Sequence, residues 1–260
     1  MNSIRAVLLD IDGTLYVGGE WLPGAIETIR WCFDQGLVVR FITNTSLKSR
    51  RQILNRFHEA GLDIPASMLF TPARAAHRWF SQQTLSHGVF PMFHPNLEED
   101  LAGVPFTQSA PADYVLVGDL GDGWTVPLLH EGLRVLLEGA RLTALQQNRF
   151  WLAQDGFRLD AGAFVATLAY GADTQCERVF GKPSPVFFDM VLQDMGVQPG
   201  EVIMVGDDIE SDVLGAQAQG LRGALVRTGK FRPESLQNGA PKVDVVLQDV
   251  SHLRGLLEAG

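Results

Sequence analysis

The stretch Ala-Val-Leu-Leu-Asp-Ile-Asp-Gly-Thr-Leu, residues 6–15, joins a short apolar run to two carboxylates, a glycine and a hydroxyl. The apolar run predicts a buried strand that ends where the polar residues begin. Side chains two apart on a strand point the same way, so we expect Asp10 and Asp12 to face one small volume. Gly13 lets the chain turn there. Taken alone, the stretch fits a solvated Asp-Gly turn equally well.

The sequence around this stretch alternates between predicted strands and helices. The first part predicts a strand over 4–9, a helix opening at Pro23-Gly24, a strand over 37–43 and a helix over 46–60. Parallel strands need a crossover of this kind between them. The order therefore predicts a parallel sheet, in a doubly wound, Rossmann-like α/β fold.

A second alternation, with loops richer in Gln, Asp and Gly, occupies the middle of the chain. It predicts strands over 89–93, 114–118 and 142–146 and helices over 72–84, 127–138 and 162–170. The first pattern returns after Gly181, with a helix opening at Ser184-Pro185, strands over 202–205, 223–226 and 243–247, and a closing helix over 249–258. The middle block is therefore predicted to be an inserted domain.

Composition narrows the function classes. The chain has 260 residues, enough for one large or two medium domains. Its 30 acidic residues outnumber its 21 basic ones, and the net charge of -9 opposes binding to nucleic acid.

Cys32 and Cys176 form no CxxC pattern, and the histidines show no zinc-binding spacing. The short apolar run near the amino terminus does not resemble a signal peptide, and no segment reaches membrane-spanning length. We expect a cytoplasmic protein with reduced thiols and no membrane partner.

Polar signals follow several of the predicted parallel strands, at the edge of a sheet where ligands bind in open α/β folds. Each signal has an ordinary alternative: a turn, a helix cap, a surface lysine or a favourable helix start. Their convergence on one edge is more specific than any one of them. The residues are Asp10 and Asp12, the tetrapeptide Thr43-Asn44-Thr45-Ser46, Lys182, and Asp207, Asp208 and Asp212.

Several carboxylates at one edge require a compensating charge. Two carboxylates about 4 Å apart repel by roughly 4 kcal/mol at an effective dielectric constant near 20. A divalent cation would remove this repulsion, and ligands that are all hard oxygens favour Mg²⁺ over zinc or copper. The sequence therefore predicts a Mg²⁺ site, with Lys182 adding positive charge.

The motifs resemble those of the haloacid dehalogenase superfamily. They are DxDGTL at 10–15, Thr43, Lys182-Pro183 and GDDxxxD at 206–212, in that superfamily's order and over almost the whole chain. The insertion between the second and third motifs is similar to that of the C2-capped subfamily IIA, which includes the N-acetylglucosamine-operon and para-nitrophenyl phosphatases. The stretches at 43–46, 181–185 and 226–230 most resemble the phospholysine phosphohistidine inorganic pyrophosphate phosphatases.

The resemblance implies a HAD-like core of residues 1–75 and 179–260, with residues 76–178 as a C2-type cap. It implies a Mg²⁺-dependent phosphohydrolase in which Asp10 is the nucleophile, forms an aspartyl-phosphate, and is assisted by Asp12 as acid and base. The implied metal residues are Asp10, Asp12 and Asp207. Asp208 or Asp212 would contact the metal through a water molecule or would hydrogen-bond to the residues that bind it. The implied phosphate-binding residues are Thr43, Asn44 and Lys182.

The cap is expected to select the leaving group. Arg149 and Trp151 are the candidate specificity residues; the alternative is that Phe150 and Trp151 pack within the cap while Arg149 faces solvent. The substrate is expected to be a small phosphorylated metabolite, a phosphoramidate or pyrophosphate, and pairing through the cap would give a homodimer. The alternatives on the same fold are a phosphotransferase or phosphomutase, a dehalogenase and a non-catalytic binding protein. A phospho-accepting signalling module, a different class with a doubly wound sheet, is a further alternative.

Overall fold

The computed structural model describes residues 4–153, 156–236 and 242–259. Its strands are β1 (Ala6–Asp10), β2 (Tyr16–Val17), β3 (Glu20–Trp21), β4 (Val38–Ile42), β5 (Leu69–Phe70), β6 (Val89–Met92), β7 (Tyr114–Val117), β8 (Arg141–Ala144), β9 (Phe150–Ala153), β10 (Gly156–Leu159), β11 (Arg178–Val179), β12 (Val202–Gly206), β13 (Arg222–Val226) and β14 (Val245–Leu247). Its α-helices are α1 (Ala25–Asp34), α2 (Arg50–Glu59), α3 (Pro72–Phe80), α4 (Val126–Leu137), α5 (Ala161–Gly171), α6 (Pro185–Met195), α7 (Gly215–Gln217) and α8 (Leu253–Glu258), and a π-helix spans Ile209–Leu214.

The chain folds into two compact units. The first comprises Met1–Thr43, Leu54–Phe70 and Lys182–Gly260, and the second comprises Asn44–Ile53 and Thr71–Gly181. The division into residues 1–75 with 179–260 and residues 76–178 stays a prediction.

The first unit is built on a parallel sheet. Six strands of the described chain pair in the order β14-β13-β12-β1-β4-β5, and all neighbours are parallel. Strands β1 and β12 lie side by side in the middle and are buried along their whole length. Strands covered on both faces read as continuous apolar runs, which explains Ala6–Leu9 and Val202–Val205. Asp10 and Asp207 therefore come at the carboxyl ends of neighbouring central strands.

The second unit has its own parallel sheet, in the order β11-β8-β7-β6. Apolar residues of β7 and β8 pack with α4 and α5 in a buried cluster that includes Val115, Leu142, Val135 and Val165. Strands β9 and β10 form a separate antiparallel hairpin, in which Trp151 lies opposite Arg158.

The α/β class, the parallel sheet and its inserted α/β block agree with the prediction from sequence. Helix α2 is an exception, because it begins at Arg50 and not at Ser46. Ser49 supplies the cap: its hydroxyl accepts the Gln52 N–H at 3.3 Å, and the Gln52 side chain accepts the Ser49 N–H at 2.9 Å. Ser46 has a different contact, with its hydroxyl accepting the Asp119 N–H at 2.9 Å.

No helix within the described ranges combines the length and the apolar character needed to cross a membrane.

Candidate active site

Asp10 and Lys182 form a buried ion pair at the end of β1. Lys182 Nζ lies 2.6 Å from Asp10 Oδ1, and both side chains are almost completely enclosed. The Thr14 hydroxyl donates to Asp10 Oδ2 at 3.1 Å. Asp10 is thus held at both oxygens, and its position and orientation are set by the surrounding chain.

Asp212 is a second partner of Lys182, with its Oδ1 2.6 Å from Nζ. The π-helix carries Asp212 back to the end of β12, where its Oδ2 accepts the Asp208 N–H at 3.1 Å. Gly206 makes this approach possible, because a Cβ atom there would collide with the Asp212 carboxylate. Lys182 therefore bridges two carboxylates that arrive from different elements.

Asp207 completes what we call the acidic cluster: Asp10, Asp207 and Asp212. One carboxylate oxygen from each lies within 4.8 Å of the others, and all three residues are buried. Lys230 donates its backbone N–H to Asp207 Oδ2 at 2.6 Å. Three clustered carboxylates beside the single buried lysine leave an excess of negative charge.

The electrostatics of the cluster follow from burial. Burial raises the pKa of Asp10 to about 7, although the charge of Lys182 acts in the opposite direction. Burial, followed by the charge of Asp10, raises the pKa of Asp207 well above its ordinary value, and burial also raises the pKa of Asp212 despite Lys182. For Lys182, burial favours the neutral form, but the two carboxylates outweigh it and raise the pKa. The cluster thus favours the uptake of positive charge, as protons or as a cation.

The donor set fits a hard divalent cation. The cluster offers only carboxylate oxygens, which Mg²⁺ prefers, and no thiolate or imidazole belongs to it. Buried carboxylates this close to one another suit a shared ion better than three separate solvated positions.

Asp12 lies beyond the end of β1 and is exposed, unlike Asp10. Its Oδ2 accepts the Thr43 hydroxyl at 3.3 Å. Its carboxylate is not among the oxygens of the acidic cluster. The two acids of the opening motif therefore have different surroundings, one enclosed and ion-paired, the other exposed and hydrogen-bonded.

Asp208 has a structural task in this arrangement. Its Oδ1 accepts the N–H groups of Glu210 and Ser211, both at 3.1 Å, and so caps the π-helix. Lys230 Nζ lies 3.5 Å from its Oδ2. Burial favours the protonated form, but Lys230 and the Ser211 N–H together lower its pKa.

The loop after β13 is a feature to which the sequence motifs assign no role. The Thr228 hydroxyl donates to the Gly13 carbonyl at 2.5 Å. A side chain at either Gly13 or Gly229 would collide with the Asp207 carboxylate, and both glycines have positive φ, at 97° and 56°. The sequence indicates this loop only through the family resemblance of the stretch 226–230, which does not predict its contact with Asp207.

The remaining candidates lie in the second unit. Asn44 is buried and donates its side-chain N–H to Asn148 Oδ1 at 3.3 Å. Arg149 is exposed, and Trp151 is half-buried in β9. Phe150 is 42% exposed and contacts Phe157 across the hairpin, with 5.3 Å between ring centroids.

Comparison with protein families identifies two matches along the chain. A model described as haloacid dehalogenase-like hydrolase matches residues 7–107. A second, described as HAD-hydrolase-like, matches residues 179–253. The matched ranges contain Asp10, Asp12, Lys182 and the GDDxxxD motif.

Individual proteins are similar over nearly the full length. The phospholysine phosphohistidine inorganic pyrophosphate phosphatase of Danio rerio is 36% identical over 257 residues, 96% of this chain and 93% of that protein. The structure of a p-nitrophenyl phosphatase from Archaeoglobus fulgidus has a TM-score of 0.90 at 27% identity, over 99% of this chain and 100% of that one. NagD from E. coli K-12 has a TM-score of 0.84 at 26% identity, over 96% of this chain and 98% of that one.

Proposed function

The chain belongs to the haloacid dehalogenase-like hydrolases, and from that membership we propose that it is a Mg²⁺-dependent phosphohydrolase that forms an aspartyl-phosphate on Asp10. The resemblance read from the sequence motifs to this family and its subfamily IIA is confirmed. The enzyme is of the phosphatase type. The covalent mechanism, the metal and the roles of individual residues are the proposal.

The observation that supports the proposal best is the Lys182 bridge. One buried ammonium group holds Asp10 and Asp212 at 2.6 Å each, with Asp207 in the same cluster. A nucleophilic carboxylate must be ionised and must be held in a fixed orientation. The charge of Lys182 favours the ionised form of Asp10, and the hydrogen bonds from Lys182 and Thr14 to its two oxygens fix its orientation.

Asp10 and Asp207 would hold a Mg²⁺ ion, together with the backbone carbonyl of Asp12. Asp212, the third carboxylate of the cluster, would bind the ion directly or through a water molecule. Asp208 would stabilise the start of the π-helix that carries Asp212. A bound Mg²⁺ would withdraw charge from the phosphoryl oxygens and allow one anion to approach another.

The reaction would proceed in two displacements. An Asp10 oxygen forms a bond to phosphorus as the bond to the leaving group breaks, and Asp12 gives the leaving atom a proton. Asp12 then takes a proton from a water molecule whose oxygen attacks phosphorus. The bond between phosphorus and Asp10 breaks, and inorganic phosphate is released. The exposed position of Asp12 suits a group that exchanges protons with both leaving group and water.

Thr43, Asn44 and Lys182 would bind the phosphoryl oxygens. Thr43 is buried beside Asp12, and its hydroxyl already donates in that direction. Lys182 would balance negative charge that develops on the phosphoryl group. Arg149 and Trp151 would act on the leaving group.

The substrate class we propose is a small phosphorylated metabolite, a phosphoramidate or pyrophosphate. Phospholysine, phosphohistidine and pyrophosphate are named for the Danio rerio relative, and p-nitrophenyl phosphate for the Archaeoglobus fulgidus enzyme. A cytoplasmic location and a homodimer formed through the cap stay predictions. A phosphomutase, phosphotransferase or dehalogenase would not release inorganic phosphate in proportion to substrate.

The test is phosphate release from p-nitrophenyl phosphate, imidodiphosphate and pyrophosphate, with Mg²⁺ or with a chelator. We expect Mg²⁺-dependent release by the unaltered protein and a loss of about 10⁴-fold in D10N. Beryllofluoride should bind to the unaltered protein only with Mg²⁺ and should not bind to D10N.

The matched control is D63N, which makes the same chemical change at an aspartate whose side chain is 89% exposed. It should keep full activity. Substantial phosphatase activity in D10N would contradict the covalent mechanism, and full activity in the chelator would contradict the metal.

A further inference from the structure

Asn44 is a buried side chain of the second unit, and its amide lies against two other residues of that unit. Its nitrogen donates to Asn148 Oδ1 at 3.3 Å. Its oxygen lies close to Gly181, where a Cβ atom would come within 2.5 Å of it. An amide has donors at one end and an acceptor at the other, so a half-turn exchanges them. The hydrogen bond to Asn148 Oδ1 therefore favours one orientation of the Asn44 side chain.

Asn148 is held in turn by its own loop. Its backbone N–H donates to Gln146 Oε1 at 2.5 Å, and its backbone carbonyl accepts the Gly162 N–H at 3.1 Å. Gly162 has no room for a side chain, because a Cβ atom would collide with the Asn148 carbonyl. The loop after β8 is thus fastened to the first turn of α5.

Gln146 links this loop to the cap of the helix. It is 1% exposed and donates its amide N–H to Asp160 Oδ1. Asp160 is the N-cap of α5 and accepts the Ala161 N–H at 2.7 Å with the same oxygen. A continuous set of hydrogen bonds therefore runs from a helix N-terminus through Gln146 and Asn148 to Asn44.

We infer that Asn148 is a positioning residue for phosphate recognition, because it accepts one N–H of Asn44 and so sets the direction of the amide. Phosphoryl oxygens only accept hydrogen bonds, and an amide turned the other way would present its carbonyl oxygen to an anion. An amide nitrogen carries two hydrogens, so the bond to Asn148 also sets where the second one points. This inference rests on the proposed phosphatase function and on the role proposed there for Asn44.

The experiment measures what Asn44 contributes in three backgrounds. The kcat/KM for p-nitrophenyl phosphate and the inhibition constant of inorganic phosphate are measured for N44A against its parent, in the otherwise unaltered protein, in N148A and in N148D. Any general effect of a change at 148, including the new charge in N148D, is present in both members of a pair and cancels.

In the unaltered background we expect N44A to lower kcat/KM by about 100-fold, as removal of a donor to a developing anion does. In the N148A background the same change should cost about 3-fold or less, because Asn44 is no longer oriented. In N148D the carboxylate still accepts the Asn44 N–H, so the cost should return to about 100-fold. N44A should likewise raise the inhibition constant of phosphate strongly in the unaltered and N148D backgrounds and only slightly in the N148A background.

An equal cost of N44A in all three backgrounds would overturn the inference, and so would a cost lost in both N148A and N148D, since Asn148 would then be the donor. Phosphate release that is absent from the unaltered protein would overturn the proposed function, and the inference with it. Q147A is the control for the loop, because Gln147 is the exposed neighbour. It should change kcat/KM by less than 2-fold.

Discussion

The acidic cluster of the first unit and the hairpin segment of the second, residues 149–153 and 156–159, are built in opposite ways. In the cluster, Asp10 and Asp212 are buried, and each lies 2.6 Å from Nζ of the buried Lys182. In the hairpin segment, Phe157 is 59% exposed and Leu159 is 63% exposed. Local order in the cluster comes from strand ends and ion pairs, whereas the hairpin exposes large side chains at a two-stranded ribbon.

This difference suggests how the two tasks of an enzyme are divided. Groups that handle the phosphoryl group meet the same chemistry in every substrate, so a fixed and enclosed arrangement suits them. Groups that meet the leaving group face varied chemistry, and exposed residues on a loop or hairpin can change without disturbing the core. Substitutions in the cluster should affect all substrates alike, and those in the hairpin should affect them unequally.

Among the substitutions that test this comparison between the two regions, the largest effect should come from K182M. It removes the ammonium group that bridges Asp10 and Asp212 and leaves both carboxylates without their shared cation, at a cost of about 3–5 kcal/mol in folding. We expect kcat to fall by about 10³-fold or more for every substrate. Phosphate release from several phosphate esters measures the loss of kcat, and thermal unfolding in the presence of Mg²⁺ measures the loss of stability.

The matched substitution is K230M. Lys230 lies 3.5 Å from Asp208, and its side chain is 28% exposed. Its loss should cost less than about 1 kcal/mol of stability, as for other partly exposed pairs. Equal destabilisation by K182M and K230M would mean that burial of Lys182 is not what makes the cluster sensitive.

The next effect should come from G229A, which tests the contact between the loop after β13 and Asp207. A methyl group at Gly229 would collide with the Asp207 carboxylate and force it to move. We expect Mg²⁺ to bind about 10- to 100-fold more weakly, as when residues that orient a ligand are altered. Calorimetric titration of Mg²⁺ measures this without substrate.

G196A controls for backbone strain, because Gly196 has φ of 64°, close to 56° at Gly229, and nothing lies within 4 Å of its Cβ position. Both variants should lose about 1 kcal/mol from strain. If G196A weakened Mg²⁺ binding as much as G229A, the effect would be one of general stability and not of Asp207.

The sequence could predict most of the first sheet because β1 and β12 are short apolar runs that end in polar motifs. It could not predict β2 and β3, since strands of two residues have no periodicity to detect. Helix α2 was predicted to begin too early, because Ser46 and Ser49 are both good caps and only the fold decides between them. The sequence does not predict the hairpin β9–β10, because its first strand follows a polar run over 146–149 that does not alternate between polar and apolar residues.

Within the candidate site, the sequence could name the acids but not their arrangement. Asp208 and Asp212 were interchangeable until the π-helix brought Asp212 to Lys182 and left Asp208 as its N-cap. Asn148 carries no motif, and its contact with Asn44 joins residues 104 positions apart. Such contacts depend on tertiary structure and leave no local pattern.

A smaller effect is expected in the pH dependence of stability. A carboxyl in the unfolded chain titrates near 3.8, whereas burial raises the pKa of Asp10 in the folded protein to about 7. Between these values the folded state binds more protons than the unfolded state, so stability falls as pH rises from about 4 to 7. Asp207 and Asp212 shift in the same direction. In a chelator, Tm should therefore fall as pH rises over this range.

Mg²⁺ should reverse this trend, because it binds the ionised carboxylates and stabilises the folded state by mass action. Its effect on Tm should therefore be larger at pH 7 than at pH 5. D10N should flatten the dependence measured in chelator. A Tm that rises between pH 4 and 7 in chelator would mean that Lys182 neutralises the cluster and that no cation is needed.

The smallest effect, and the one that tests the hairpin side of the comparison, is expected from R149A. Arg149 is exposed, so its loss should change stability by less than about 0.5 kcal/mol. We expect relative kcat/KM values to shift by about 3- to 10-fold between anionic and neutral leaving groups, because a guanidinium group attracts the former. R134A removes an exposed arginine from α4 in the same unit and should leave the ratios unchanged. If R149A lowered all rates by one factor, the hairpin segment would not select the leaving group. The proposed division of tasks between the acidic cluster and the hairpin segment would then be wrong.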